Sequence, residues 1–115
     1  MKAKTLILLS AVTFADLAIA QAPPVYTAVE AGKHVGETAT VKDKVDGAYQ
    51  SARGHIFLSM GPNQAFTAFI PASSAAQFYR PQQYERRTLA VSGKIVLYKG
   101  KPQIVVNSPS QITAK

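Results

Sequence analysis

The chain contains no cysteine and no tryptophan, only two histidines, and six acidic residues against thirteen basic ones. Zero cysteine excludes a disulfide framework and every zinc site built on thiolates. Metal-dependent phosphoryl chemistry needs several carboxylates converging on a cation. Beyond the first twenty residues only Glu30, Glu37, Asp43, Asp46 and Glu85 are available, without metal-ligand spacing. His34 and His55 show no diagnostic separation, and there is no Gly-x-Ser-x-Gly elbow, no P-loop and no Gly-x-Gly-x-x-Gly. Lacking any constellation of nucleophile, base and orienting group, the sequence reads as a binding protein and not an enzyme, with no metal and no cofactor. Its 115 residues hold one small domain. That length excludes a doubly wound two-domain enzyme, a TIM barrel and a repeat array. A 47% apolar composition, with five Tyr and five Phe, excludes a disordered tail.

The first twenty residues read as an address. Lys2 and Lys4 form a basic start, uncharged and mostly apolar residues run from Thr5 to Ala15, and Ala18-Ile19-Ala20 is a small-x-small site. These are the three parts of a secretory signal peptide, and the run is shorter than the roughly 20 residues a membrane span needs. Asp16 is an oddity at the end of such a run. Cleavage after Ala20 removes Lys2, Lys4 and Asp16, leaving 95 residues with 11 basic and 5 acidic side chains, a net +6. The expected location is periplasmic or secreted.

The remainder divides into a lead-in over residues 21–36 and a domain over residues 37–112. Thr27 with Glu30 three residues on is a weak capping box, predicting a short helix from Ala28 to Lys33 closed by Gly36. From Thr38 the period changes to two. Ala39, Val41 and Val45 alternate with polar residues in a first strand. Asp43 interrupts that inward set and marks a bulge or bend, and Asp46-Gly47 ends or kinks the strand. Ile56, Leu58 and Met60 form the inward set of a second strand, and Phe66, Ala68 and Ile70 that of a third. Gly61-Pro62-Asn63 is the turn between them. Ala72 to Phe78, Ala-rich with Ser caps, predicts two turns of helix. A fourth strand runs from Thr88 to Tyr98 with Leu89, Val91, Ile95 and Leu97 inward, and Gly93 marks a bulge or sharp coil. Lys99-Gly100-Lys101 is a hairpin turn, Gln103 to Val106 a fifth strand, and Ile112 pins the tail. Five short strands with a helix between the third and fourth suit a small closed barrel, because closure hides the edges an open sheet would expose.

This element order resembles the OB-fold, and the wording resembles the bacterial exported nucleic-acid-binding OB-fold group. His34-Val35-Gly36-Glu37, Phe66-Thr67-Ala68-Phe69-Ile70 and Val91-Ser92-Gly93-Lys94-Ile95 carry the likeness. So does Tyr98-Lys99-Gly100-Lys101-Pro102-Gln103-Ile104-Val105-Val106 with Ser108-Pro109-Ser110-Gln111-Ile112. The similarity runs from Glu30 to Ile112. Lys42-Asp43 departs from it where small residues are common, as do Ala68-Phe69 where two β-branched residues are. The resemblance implies an all-β five-stranded OB-fold barrel and binding of nucleic acid. OB-folds also host oligosaccharide binding and protein docking.

Binding single strands without sequence preference takes cations for phosphates and aromatic faces for bases. The inward sets leave Phe57 and Phe69 on the outer face of the second and third strands, with His55, Ser59 and Thr67. In an OB-fold that face is the usual ligand platform. The alternative for the two Phe is cover by the N-terminal helix or a loop. One framing loop carries Tyr49 and Arg53, and the other carries Tyr98, Lys99 and Lys101. Tyr79 to Arg87, with Arg80, Arg86 and Arg87, reads as an irregular solvated segment that would extend a basic surface. The expected ligand is single-stranded DNA or RNA, bound with little sequence preference. The net charge also suits an anionic envelope polymer, so docking of such a polymer or an envelope protein is the alternative. Service to a nuclease or DNA-uptake system would reconcile the two.

Overall fold

The computed structural model describes residues 22–114, so the secretion signal read over residues 1–20 lies outside the described residues. The chain order is β1 (Val25–Tyr26), α1 (Ala28–Ala31), β2 (Thr38–Gln50), β3 (Ile56–Met60), β4 (Phe66–Ile70), α2 (Ala72–Ala75), β5 (Thr88–Tyr98), β6 (Lys101–Val105) and β7 (Ile112–Ala114). Short 3-10 turns lie at Pro62–Gln64, Pro81–Tyr84 and Pro109–Gln111. No helix among the described residues is long and apolar enough to cross a membrane.

Strands β2, β3 and β4 form an antiparallel meander. β4 then pairs in parallel with β6, β6 antiparallel with β5, and β5 antiparallel with the first half of β2. The circuit β2-β3-β4-β6-β5-β2 closes a five-stranded OB-fold barrel. β1 adds in parallel to β2, and β7 pairs with β5.

The period-two reading places the core. Ala39, Val41, Val45, Ile56, Leu58, Met60, Phe66, Ala68, Ile70, Leu89, Val91, Ile95 and Ile104 are buried. Removing a side chain the size of Leu or Phe from water contributes roughly 1.5–3 kcal/mol, which lets a Cys-free barrel hold together. Leu97, predicted inward, is instead 57% exposed. It lies where the β5–β6 hairpin runs past the closed part of the barrel, so its face has no opposing sheet.

β2 does not end at Asp46. It runs on to Gln50 through a bulge between Val45 and Gly47, where Val45 pairs with Met60 but Gly47 pairs with Ser59. The extra residue is Asp46, not the predicted Asp43. Asp43 stays in register opposite Leu89 and turns its carboxylate to α1, accepting from the Ala28 amide at 2.9 Å. The capping box is formed as expected, with Thr27 and Glu30 each accepting the other's amide. α1 ends earlier than predicted, at Ala31, and packs Ala28 and Ala31 into the core. α2 is one helical turn, not two, and no serine caps it. Its cap residue is Pro71, and shorter-range bonds from Gln77 to Ser74 and from Phe78 to Ala75 carry the chain on until Phe78 is buried.

Two anchors hold the ends. The Tyr26 ring stacks on His34 at 3.9 Å, and its hydroxyl donates to Glu37 at 2.7 Å while His34 Nδ1 approaches the same carboxylate at 2.7 Å. The Tyr26 hydroxyl, then His34, hold the Glu37 carboxyl below its usual range. At the other end the Gln111 amide accepts from the Asn107 and Ser108 amides and donates to the Ser92 and Val105 carbonyls.

Gly93 sits where β5 leaves β2 for β6, the sharp coil its sequence position predicts. A Cβ there would lie 2.7 Å from Ile104 Cγ2. Gly93→Val is therefore expected to cost about 1–3 kcal/mol through overpacking, read by urea denaturation. Gly47→Ala, where a Cβ meets nothing within 4 Å, should shift stability by under about 0.5 kcal/mol. Because the folded Glu37 carboxyl is depressed, its contribution is complete above the ordinary carboxylate range and lost as pH falls through its folded value. NMR of the Tyr26 ring should show it leaving His34 in that acidic window, and Glu37→Gln should abolish the transition.

Candidate functional site

Directly opposed residues in an antiparallel pair share one face of the sheet. Tyr49 lies opposite Phe57, and Phe57 opposite Phe69. Three aromatic side chains thus form one row across β2, β3 and β4, which Val105 of β6 continues beside Phe69. The bulge is what puts Tyr49 there. Tyr49 has the same odd spacing as buried Val41 and Val45, and an unbroken strand would turn it inward. The extra residue at Asp46 reverses the alternation, so Ala48 faces Leu58 and Tyr49 faces Phe57.

Tyr49 and Phe57 rings are 6.1 Å apart, Phe57 and Phe69 5.2 Å, and Phe69 and His55 5.4 Å, all tilted. Such distances fall within the favourable range for aromatic pairs. Tyr49 is 63% exposed, while Phe57 and Phe69 are half-buried by their neighbours. The N-terminal helix does not cover them, since α1 packs at the Asp43 and Gly61 end.

His55 is fixed by its own bond. Its Nδ1 accepts from the Ala72 amide at 3.0 Å, supplying the helix-capping acceptor that Pro71 cannot. That bond leaves the ring proton on Nε2.

Tyr98 rises from the β5–β6 hairpin to close a cavity of about 230 Å³ with His55, Phe57, Phe69 and Gln103. Gln103 is buried to 9% exposure, and among the described residues its side-chain amide has no hydrogen-bond partner. A buried amide left unpaired costs about 1–3 kcal/mol.

Lys99 and Gly100 both have positive φ between the paired Tyr98 and Lys101, the signature of a two-residue type I′ turn. This hairpin sets Lys99 Nζ 5.4 Å from the Tyr98 ring centre and leaves Lys101 exposed. Among the described residues the one ion pair is His34 with Glu37, so none of the described Lys or Arg side chains is spent on a carboxylate.

The structure therefore brings Tyr49, Phe57, Phe69, Tyr98, Lys99 and Lys101 to one face. Arg53 goes elsewhere, to a larger groove of about 470 Å³ beside α2 that also holds Tyr79. Groove and cavity adjoin across the His55–Ala72 bond. The groove is lined by alanines, Ile56 and Pro81 together with Arg53, Phe78 and Tyr79, whereas the smaller cavity is walled by the tilted rings of Phe57 and Phe69 with His55 and Tyr98. The Arg-rich segment divides. Arg80 lies 5.9 Å from the Tyr79 ring centre beside the groove, while Arg86 and Arg87 pair through their main chain with Val45. Sequence reasoning did not single out Gln103. Alternation with Ile104 gives its outward direction, but its burial depends on rings from three other strands.

His55→Ala should lower unfolding free energy by about 1–2 kcal/mol, because the Ala72 amide loses its acceptor. Urea denaturation measures the loss, and His55→Asn should recover part of it.

No family model and no curated protein matches the chain. Among solved structures, a protein assigned as an aspartyl-tRNA synthetase from Leishmania major Friedlin superposes with a TM-score of 0.56. The identity is 9% over 82% of this chain and 21% of that one. Aspartyl-tRNA synthetase from Entamoeba histolytica superposes with a TM-score of 0.51 at 14% identity, over 70% of this chain and 18% of that one. The chain spans about a fifth of the length of these proteins. At such identities the likeness is one of fold.

Proposed function

We propose that this protein is an exported module that binds single-stranded nucleic acid, stacking bases on the outer face of the barrel and neutralising phosphates with the hairpin lysines. The observation that carries the reading is the in-register row of Tyr49, Phe57 and Phe69 on a sheet face that no helix among the described residues covers, beside cations that no described carboxylate pairs. A row of ring faces spaced across strands suits successive bases, and a cationic rim suits the backbone joining them. The OB-fold likeness to two synthetases whose names state that they act on a tRNA supports the same ligand class. The protein acts by binding, without catalysis, metal or cofactor. The signal-like first twenty residues support a periplasmic or secreted location.

Lys99 gives a further reason. A non-glycine residue at φ 51° is strained where Asn or Gly would rest. Keeping a lysine there trades stability for a cation beside Tyr98.

A second reading, docking of a protein or anionic envelope polymer, is favoured by the exposed Leu97 beside Tyr98.

Fluorescent single-stranded DNA and RNA titrated at several salt concentrations decide between them. The log of affinity should fall linearly with log salt, by about 0.7 per phosphate neutralised. Phe57→Ala and Phe69→Ala should each weaken binding roughly 5- to 150-fold, equivalent to about 1–3 kcal/mol per stacked base, with folding retained. Lys99→Asn should raise stability by about 0.5–1 kcal/mol while lowering the salt slope by about 0.7. Absence of binding at low salt overturns the reading. Equal binding of heparin, indifferent to both Phe changes, turns it to the second.

A further inference from the structure

The cavity between the aromatic row and the hairpin has more polar equipment than stacking uses. Two glutamines lie near one another in sequence and differ sharply in how they are satisfied. Gln111 makes four hydrogen bonds to main-chain groups and is a structural node. Gln103, more deeply buried at 9% exposure, makes none among the described residues and lines the cavity with His55, Phe57, Phe69 and Tyr98. Buried polar groups in folded proteins are overwhelmingly paired, and one that is not calls for a ligand or a function. An apolar residue at position 103 would serve the barrel better, since Val96 and Thr67 flank it on the neighbouring strands.

We infer that the cavity is a subsite for one unstacked base, entering edge-first, and that Gln103 reads its edge. An amide offers one acceptor beside one donor, the complement of a base edge that sets a donor beside an acceptor, and two parallel bonds then fix the base in one orientation. The walls suit this. Phe57, Phe69 and Tyr98 supply ring surface for the base faces, and His55, held at Nδ1 by the Ala72 amide, keeps Nε2–H as a further donor. A volume of about 230 Å³ fits a single ring system, below the roughly 300–1,000 Å³ of clefts that enclose larger ligands. Binding through such a subsite is selective at one nucleotide position, whereas the rest of the strand is held by charge and stacking regardless of sequence. This inference rests on the proposed binding of single-stranded nucleic acid and sharpens it.

Fluorescein-labelled eight-nucleotide dA, dC and dT oligomers, titrated at one salt concentration, test it. The native protein should separate the best from the poorest by at least tenfold. Gln103→Met, close in length and apolar, should narrow that spread to under about threefold while holding or raising the melting temperature, since it removes an unpaired buried amide. NMR should show the Gln103 side-chain amide protons shifting on addition of the preferred oligomer. A spread below threefold in the native protein, a spread that persists in Gln103→Met, or unmoved amide protons overturns the subsite and leaves the broader binding reading intact. Absence of binding by all three oligomers at low salt overturns both.

Discussion

One extra residue in β2 sets the character of the outer face. The strand serves two partners, β5 along its first half and β3 along its second. A strand that turns from one neighbour to the other around a small barrel must coil strongly, and a bulge supplies both the bend and the added twist. Because side chains alternate with period two, one added residue also exchanges inside for outside. Before Asp46 the odd positions fill the core, and after it they face outward. Tyr49 joins Phe57 and Phe69 for that reason, and Ala48, small enough to sit against Leu58, takes the inward place.

The two short helices depend on the same strands. Neither is long enough to be stable alone, since a helix of one turn has not repaid its nucleation. Each borrows an acceptor from the barrel for its first amide, Asp43 for Ala28 and His55 for Ala72. These bonds tie opposite ends of the barrel to its walls. They also give structural work to two polar side chains that sit among apolar neighbours. The consequence for the site is direct. His55 cannot swing away from Phe69 without releasing the start of α2, so the ring at the edge of the cavity is held by the helix it caps.

The barrel was legible because its code is local. Alternation in Ile56–Met60 and Phe66–Ile70, the Gly61-Pro62-Asn63 turn and the Lys99-Gly100 hairpin each follow from a few adjacent residues, and the structure keeps them. What the sequence concealed depends on distant partners. Asp43 looked like the irregularity in β2 because a carboxylate on an inward position is unexpected, and only the position of α1 explains it. Leu97 looked like core because its spacing matches Ile95, but the strand has by then left the barrel. Gln103 looked like an ordinary strand residue. Its isolation appears only when Phe57, Phe69 and Tyr98 are gathered from three other strands, a long-range event no local pattern records.

Departures from local preference occur in several places, Gln64 and Arg86 at positive φ among them, and four meet at one face. Lys99 occupies a backbone region that favours Asn or Gly, Gln103 buries an amide without a partner among the described residues, and Tyr49 and Tyr98 expose more than half their surface. All four lie on the Phe57–Phe69 face or its rim. At the far end of the molecule polar groups are matched, as Thr27 with Glu30 and Tyr26 with Glu37 show. Sequences that otherwise agree with their fold at every level tend to break local rules at functional sites. The four at this face are residues that strand register also brings together, and the proposed base and phosphate contacts would give each of them a partner.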